Sequence, residues 1–104
     1  MDLTSKQRAY LKSLSNNMES IFQIGKSSLT PSVSHAIDQA LEKRELIKIS
    51  VLKNCFDDPA ELADMVAERT HSTVVQVIGK KMILYRPSKK NPKIELPAGK
   101  KQNG

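Results

Sequence analysis

Tryptophan is absent from this chain, and its 104 residues include only two Tyr and two Phe. A core must therefore be built from Ile, Leu, Val, Ala and Met, and there is no row of aromatics on which successive bases could stack. The single cysteine, Cys55, excludes an internal disulfide and fits a reducing compartment. Long apolar runs are missing too. The N-terminus M-D-L-T-S-K-Q-R carries charge at once, so neither a signal peptide nor a membrane anchor is expected, and the expected location is the cytoplasm. Catalytic patterns are equally scarce: no serine sits in a G-x-S-x-G elbow, and His35 and His71 lack metal-ligand spacing with Cys55 or with each other. Asp57 and Asp58 could suggest magnesium, but Asp58 is better used as a helix cap. No enzyme, metal or cofactor is expected.

What is plentiful is positive charge. The formal net charge is +6, and it is unevenly spread: Met1 to Arg86 holds 12 Lys+Arg against 10 Asp+Glu, whereas Pro87 to Gly104 holds 5 Lys against 1 Glu. A basic protein of this size suits nucleic acid or another anionic surface, because neutralising phosphates releases counterions. Plain solubility would give the same count. The length suits one domain with a single core.

Thr4 and Gln7 form the pattern of a capping box, and Leu3, Ala9, Tyr10, Leu11, Leu14 and Met18 follow at near-helical spacing, predicting a first helix from about Ser5 to Leu14. Ile21 to Ile24 reads as a short strand and Pro31 to Arg44 as a second helix. In L-I-K-I-S-V-L, Ile47, Ile49 and Val51 share one side and Lys48 and Ser50 the other, the mark of a half-buried strand. Asp58, Pro59 and Glu61 start a third helix that reaches about Thr70 and buries Leu62, Met65 and Val66, with Ala63 beside them. T-V-V-Q-V-I and M-I-L-Y-R are two strands joined at Gly79-Lys80-Lys81. The order α-β-α-β-α-β-β predicts an α/β (α+β) fold, a mixed sheet with packed helices. From Pro87 periodicity stops, so residues 87–104 read as a mobile, disordered basic tail on a domain spanning residues 1–86, in which I-E-L at Ile94 to Leu96 could at most dock briefly.

The most informative stretch is Q-I-G-K-S-S-L-T-P, from Gln23 to Pro31. A strand reaches a glycine, passes a lysine and two serines, and enters a helix marked by Thr30 and Pro31. Gly25 permits close backbone approach and positive φ, and the first turn of a helix presents N–H groups with partial positive charge. Lys26 adds a full charge; Ser27, Ser28 and Thr30 add hydroxyls. Ser28 is expected at negative φ with its hydroxyl free to meet phosphate. An ordinary strand-to-helix turn would use Gly25, Thr30 and Pro31 in the same places without a ligand. If the first three strands run parallel, Lys53, Lys80 and Lys81 gather at the same end of the sheet. Their blander use is solubility and protection of a sheet edge.

The loop Gly25 to Thr30, the segment Glu45 to Lys48 and above all V-Q-V-I-G-K-K-M-I-L-Y-R, from Val75 to Arg86, resemble the CRM domain, named for chloroplast RNA splicing and ribosome maturation, in its single-domain bacterial YhbY-like form. The resemblance implies a four-stranded mixed sheet similar to the C-terminal domain of translation initiation factor three. It implies RNA binding, with association to precursors of the large ribosomal subunit, and a G-x-x-G loop that clamps the nucleic-acid backbone. Here that loop is Gly25, Lys26, Ser27 and Ser28, with serine in place of the second glycine. The expected RNA-binding residues are Gly25, Lys26, Ser27, Ser28 and Thr30, with Lys53, Lys80, Lys81 and Arg86 around them, in a monomer without membrane contact. The competing readings are a ribosome-associated adaptor that docks through an apolar face, and an RNA-processing enzyme with a diffuse active site.

Overall fold

Each helix begins where a side chain can replace the hydrogen bonds its first turn lacks. In the computed structural model, which describes residues 2–98, helix α1 spans Ser5–Ser15. The Thr4 hydroxyl accepts from the Gln7 amide at 3.1 Å, and the Gln7 side chain accepts from the Thr4 amide at 3.0 Å. Helix α2, Pro31–Arg44, is capped by Thr30, and α3, Pro59–Thr70, by Asp58; each has proline in its first turn. Between them run β1 (Phe22–Ile24), β2 (Leu46–Val51), β3 (Thr73–Ile78) and β4 (Lys81–Tyr85). The expected element order is the observed one.

The sheet order is β1-β2-β4-β3, with β1 and β2 parallel and β4 antiparallel to both β2 and β3. Thus β1, β2 and β3 all point one way, and the turns that follow them open at one end of the sheet. Side chains alternate across the strands and make two cores. On one face Ile24, Ile47, Ile49, Val51, Met82 and Leu84 pack with Ile37 and Leu41 of α2 and Leu62, Ala63 and Val66 of α3. On the other, Leu46, Val75, Ile83 and Tyr85 pack with Leu11 of α1. Met65, expected inside, is 39% exposed: the buried stripe of α3 runs Leu62, Ala63, Val66, Thr70 and leaves Met65 at its margin.

A bulge at Val75 interrupts the β3–β4 register between Val74 and Gln76. Arg8 of α1 donates from Nη1 to the carbonyls of Val74 and Val75, at 2.7 and 2.8 Å, and so gives both acceptors at the bulge a side-chain donor.

The C-terminal segment departs from the sequence reading. Residues 88–97 are docked rather than disordered. Glu45, fully buried just past α2, accepts at its carboxylate from the amides of Ser88, Lys93 and Ile94 at 2.7 to 2.9 Å. Burial works to raise its pKa, but these amides and the nearby Lys93 charge hold it below the ordinary value. Glu42 accepts from the Ser88 hydroxyl and from the amides of Lys89 and Lys90, and its pKa falls to about 2. Ile94 and Leu96 then pack against the α1-side core, and Gln7 Nε2 donates to the Pro97 carbonyl at 3.1 Å. Local periodicity could not reveal this, because the segment borrows its hydrogen-bond partners from α2, more than forty positions earlier in the chain. The expectation for residues 99–104 lies outside the described residues.

Candidate nucleic-acid interface

The loop after β1 is built on a turn in which the Ser28 amide donates to the Gly25 carbonyl at 2.9 Å. Its tip, Lys26 and Ser27, is exposed. Thr30 closes the loop, its hydroxyl accepting from the Val33 amide at 3.2 Å. Together Gln23 to Ser28, Thr30, Ser32 and Val33 line an open cleft of about 440 Å³. A larger one, about 590 Å³, lies away from the loop along the other end of α2 and belongs to a different surface.

Glycine at position 25 is favoured by close packing rather than by φ. A Cβ there would stand 3.1 Å from Asn54 Oδ1 and 3.4 Å from Leu52 Cδ1, so the loop lies directly on the turn that follows β2. Positive φ falls instead on Ser28, at 58°. This corrects the expectation of negative φ. Its hydroxyl is engaged within the protein, donating to the Asp57 carboxylate. Serine thus holds the left-handed position that a second glycine would take freely, and a side-chain hydrogen bond to a neighbouring loop offsets the steric cost. Spacing within the 25–30 loop could not disclose this, since the partner lies 29 positions on.

Lys53 is exposed in the turn after β2, and Lys80 and Lys81 are exposed in the hairpin after β3. The main-chain bonds of Leu52 to the Ile24 carbonyl, 2.8 Å, and of Val51 to the Lys80 carbonyl, 2.7 Å, tie the three turns side by side. Lys26, Lys53, Lys80 and Lys81 therefore share one end of the molecule.

Arg86 does not join them, and its expected place in the site is withdrawn. It follows β4, which runs the opposite way, and is only 7% exposed. Its guanidinium pairs with Asp38 at 2.5 Å and Glu42 at 3.6 Å and donates to the Thr70 carbonyl at 2.8 Å. Those partners leave it no fork to offer a phosphate. Among the described residues no group of three His, Cys, Asp or Glu side chains could hold a metal, and no helix is long and apolar enough to cross a membrane.

Fold and loop define the class: a small α/β domain that presents a glycine-led basic loop where its parallel strands end. The chain belongs to the CRS1 / YhbY (CRM) domain family, whose pattern it matches over residues 3–86. It is 43% identical over 95 residues to the probable RNA-binding protein YqeI of Bacillus subtilis, an alignment covering 91% of this chain and 99% of that one. It is 34% identical over 95 residues to an RNA-binding protein of Haemophilus influenzae, covering 91% and 95%. The solution structure of a hypothetical protein from Staphylococcus aureus superposes with a TM-score of 0.77 at 52% identity, covering 92% of this chain and all of that one.

Proposed function

We propose that this protein binds RNA without catalysing a reaction, and that it grips the ribose-phosphate backbone at the end of the sheet where β1, β2 and β3 terminate. The observation that carries the reading is the convergence there of Lys26, Lys53, Lys80 and Lys81 beside the start of α2. Lys26 is the principal phosphate ligand, Ser27 and the main chain of the loop supply further donors, and Gly25 sets the loop against the Asn54 turn. Ser28 acts by shaping the loop, because its hydroxyl is engaged by Asp57. RNA binding in the named relatives supports this reading.

The family resemblance extends the proposal to ribosomal RNA in precursors of the large subunit, with the protein acting as a cytoplasmic monomer during assembly. Crosslinking in cells followed by sequencing of the bound RNA tests that part: reads from large-subunit precursors are expected, and their absence would remove it. For RNA binding itself, Lys26→Ala should weaken affinity several-fold at moderate salt and leave Tm unchanged, since an exposed lysine contributes little to the core. An adaptor docking through an apolar face would bind as before and keep its affinity as salt rises.

A further inference from the structure

The side chain most at odds with its surroundings is Phe56, which is 93% exposed in a chain with so few aromatics. Leaving a phenylalanine in water forgoes the favourable burial of its ring, and one such ring on a mobile loop would need no explanation. Phe56 is not free to move that way, because both of its neighbours are tied down. Cys55 before it is buried in the α2/α3 core, with its amide bonded to the Leu52 carbonyl at 3.0 Å. Asp57 after it receives the Ser28 hydroxyl, and Asp58 caps α3. With Cys55 held inward and Asp57 held against the 25–30 loop, the intervening ring is displayed outward beside that loop.

We propose that Phe56 is a stacking platform for an unpaired RNA base next to the phosphates held by Lys26; the proposal rests on the RNA-binding reading above. The chemistry around the ring selects this occupant. Lys53 lies in the same turn and Lys26, Lys80 and Lys81 at the same end of the sheet, and lysine is the residue that protein–protein interfaces avoid at their centres. Leu52 and Ile78 are also exposed at this end, at 37% and 58%, but Phe56 is the most exposed of the three and alone offers a π-face, and a ring with lysines around it matches the pairing of stacking platform and backbone track found where single strands are held. The carboxylates of Asp57 and Asp58 beside the ring repel phosphate, so what lies on the ring is a base, with its phosphate on the Lys26 side. A base inside a duplex offers no exposed π-face; the preferred RNA is a loop, bulge or single strand.

The test compares a short unstructured RNA with a blunt duplex of the same sequence, titrated by fluorescence anisotropy into the full chain and its variants. Phe56→Ala should weaken binding of the single strand by roughly five- to a hundredfold while Tm, the salt slope and duplex affinity stay as in the parent. Phe56→Leu should not restore the loss. Phe56→Trp should bind as the parent, and its fluorescence, the only tryptophan signal in this chain, should be quenched by the single strand and not by the duplex. Unchanged single-strand affinity in Phe56→Ala overturns the proposal, as does an equal loss on both RNAs or rescue by leucine. A change in oligomeric mass with RNA affinity intact would also overturn it and assign the ring to protein contact. The parent and Lys26→Ala, measured alongside, separate the two ideas: if the parent binds neither RNA, the RNA-binding reading fails, whereas salt-sensitive binding that Lys26→Ala weakens and that ignores Phe56 removes the stacking platform alone.

Discussion

Serine at position 28 occupies a backbone conformation that costs an L-residue about 1–2 kcal/mol, and the Asp57 carboxylate compensates through one hydrogen bond to its hydroxyl. The two residues should therefore be coupled in a double-mutant cycle. In the parent, Ser28→Gly removes strain and a hydrogen bond together and should change stability little. In an Asp57→Ala background the hydrogen bond is already gone, and Ser28→Gly should then stabilise by about 1 kcal/mol. Asp57→Ala alone should destabilise the protein and weaken RNA affinity, because the loop shape and the direction of Phe56 both depend on this carboxylate, an effect only partly offset by the loss of a negative charge beside the loop. Urea midpoints and RNA titrations of the four proteins measure both effects; additivity in stability would show that Asp57 does not hold the loop. The left-handed position was not legible in the sequence. A missing second glycine is visible at once, but its compensation depends on a carboxylate brought in from the far side of β2.

At the scale of elements, Arg86 joins the two helices of one layer to the end of β4: Asp38 and Glu42 come from α2, the Thr70 carbonyl from the end of α3. Removing the cation leaves a carboxylate and a carbonyl without their donor. Asp38 is about half exposed, which weakens the pair relative to a fully buried one. Arg86→Met should accordingly cost about 2 kcal/mol, and it should leave RNA affinity unchanged once the protein is folded, in contrast to Lys26→Ala. Loss of RNA affinity in folded Arg86→Met would return this residue to the interface. The helices themselves were readable because their signals are local. Thr4, Thr30 and Asp58 act on amides three positions away, and proline follows two of these caps directly. Met65 was misplaced because a two-turn apolar stripe defines a face only to within one position, and the sheet decides its edges.

For the molecule as a whole, residues 88–97 belong to the folded unit. They supply the donors for two carboxylates of the α2 end and add Ile94 and Leu96 to the core under α1. Truncation after Pro87 should cost about 3 kcal/mol or more, since it exposes apolar surface and leaves the buried Glu45 carboxylate without its amides. The docking also carries a pH signature. Glu42 has a folded pKa of about 2 against an ordinary 4.5, so its contribution is complete above 4.5, declines as pH falls, and is gone near 2. Glu45 is shifted in the same direction and adds to the decline. Urea midpoints of the full chain should therefore fall across this window more steeply than those of the truncated protein; parallel curves would mean that the segment does not use these carboxylates in solution.

Whatever acts over a few residues is legible in the chain alone: the caps that start three helices, the alternation of β2, the hairpin at Gly79 and Lys80, and a glycine-lysine-serine loop placed before a helix. Lys26 is legible this way as an exposed cation at the loop tip, because that exposure needs only the loop it sits in. Whatever depends on which strands are neighbours is settled only when the sheet has packed. The order β1-β2-β4-β3 turns three separate turns into one basic end and sends Arg86 to the other, and it brings Asp57 to Ser28 and the 88–97 segment to Glu42 and Glu45. Phe56 is the clearest case. No spacing marks it as exposed, because its direction is imposed by Cys55 entering the core and Asp57 reaching the loop, two contacts made across the sheet rather than along the chain.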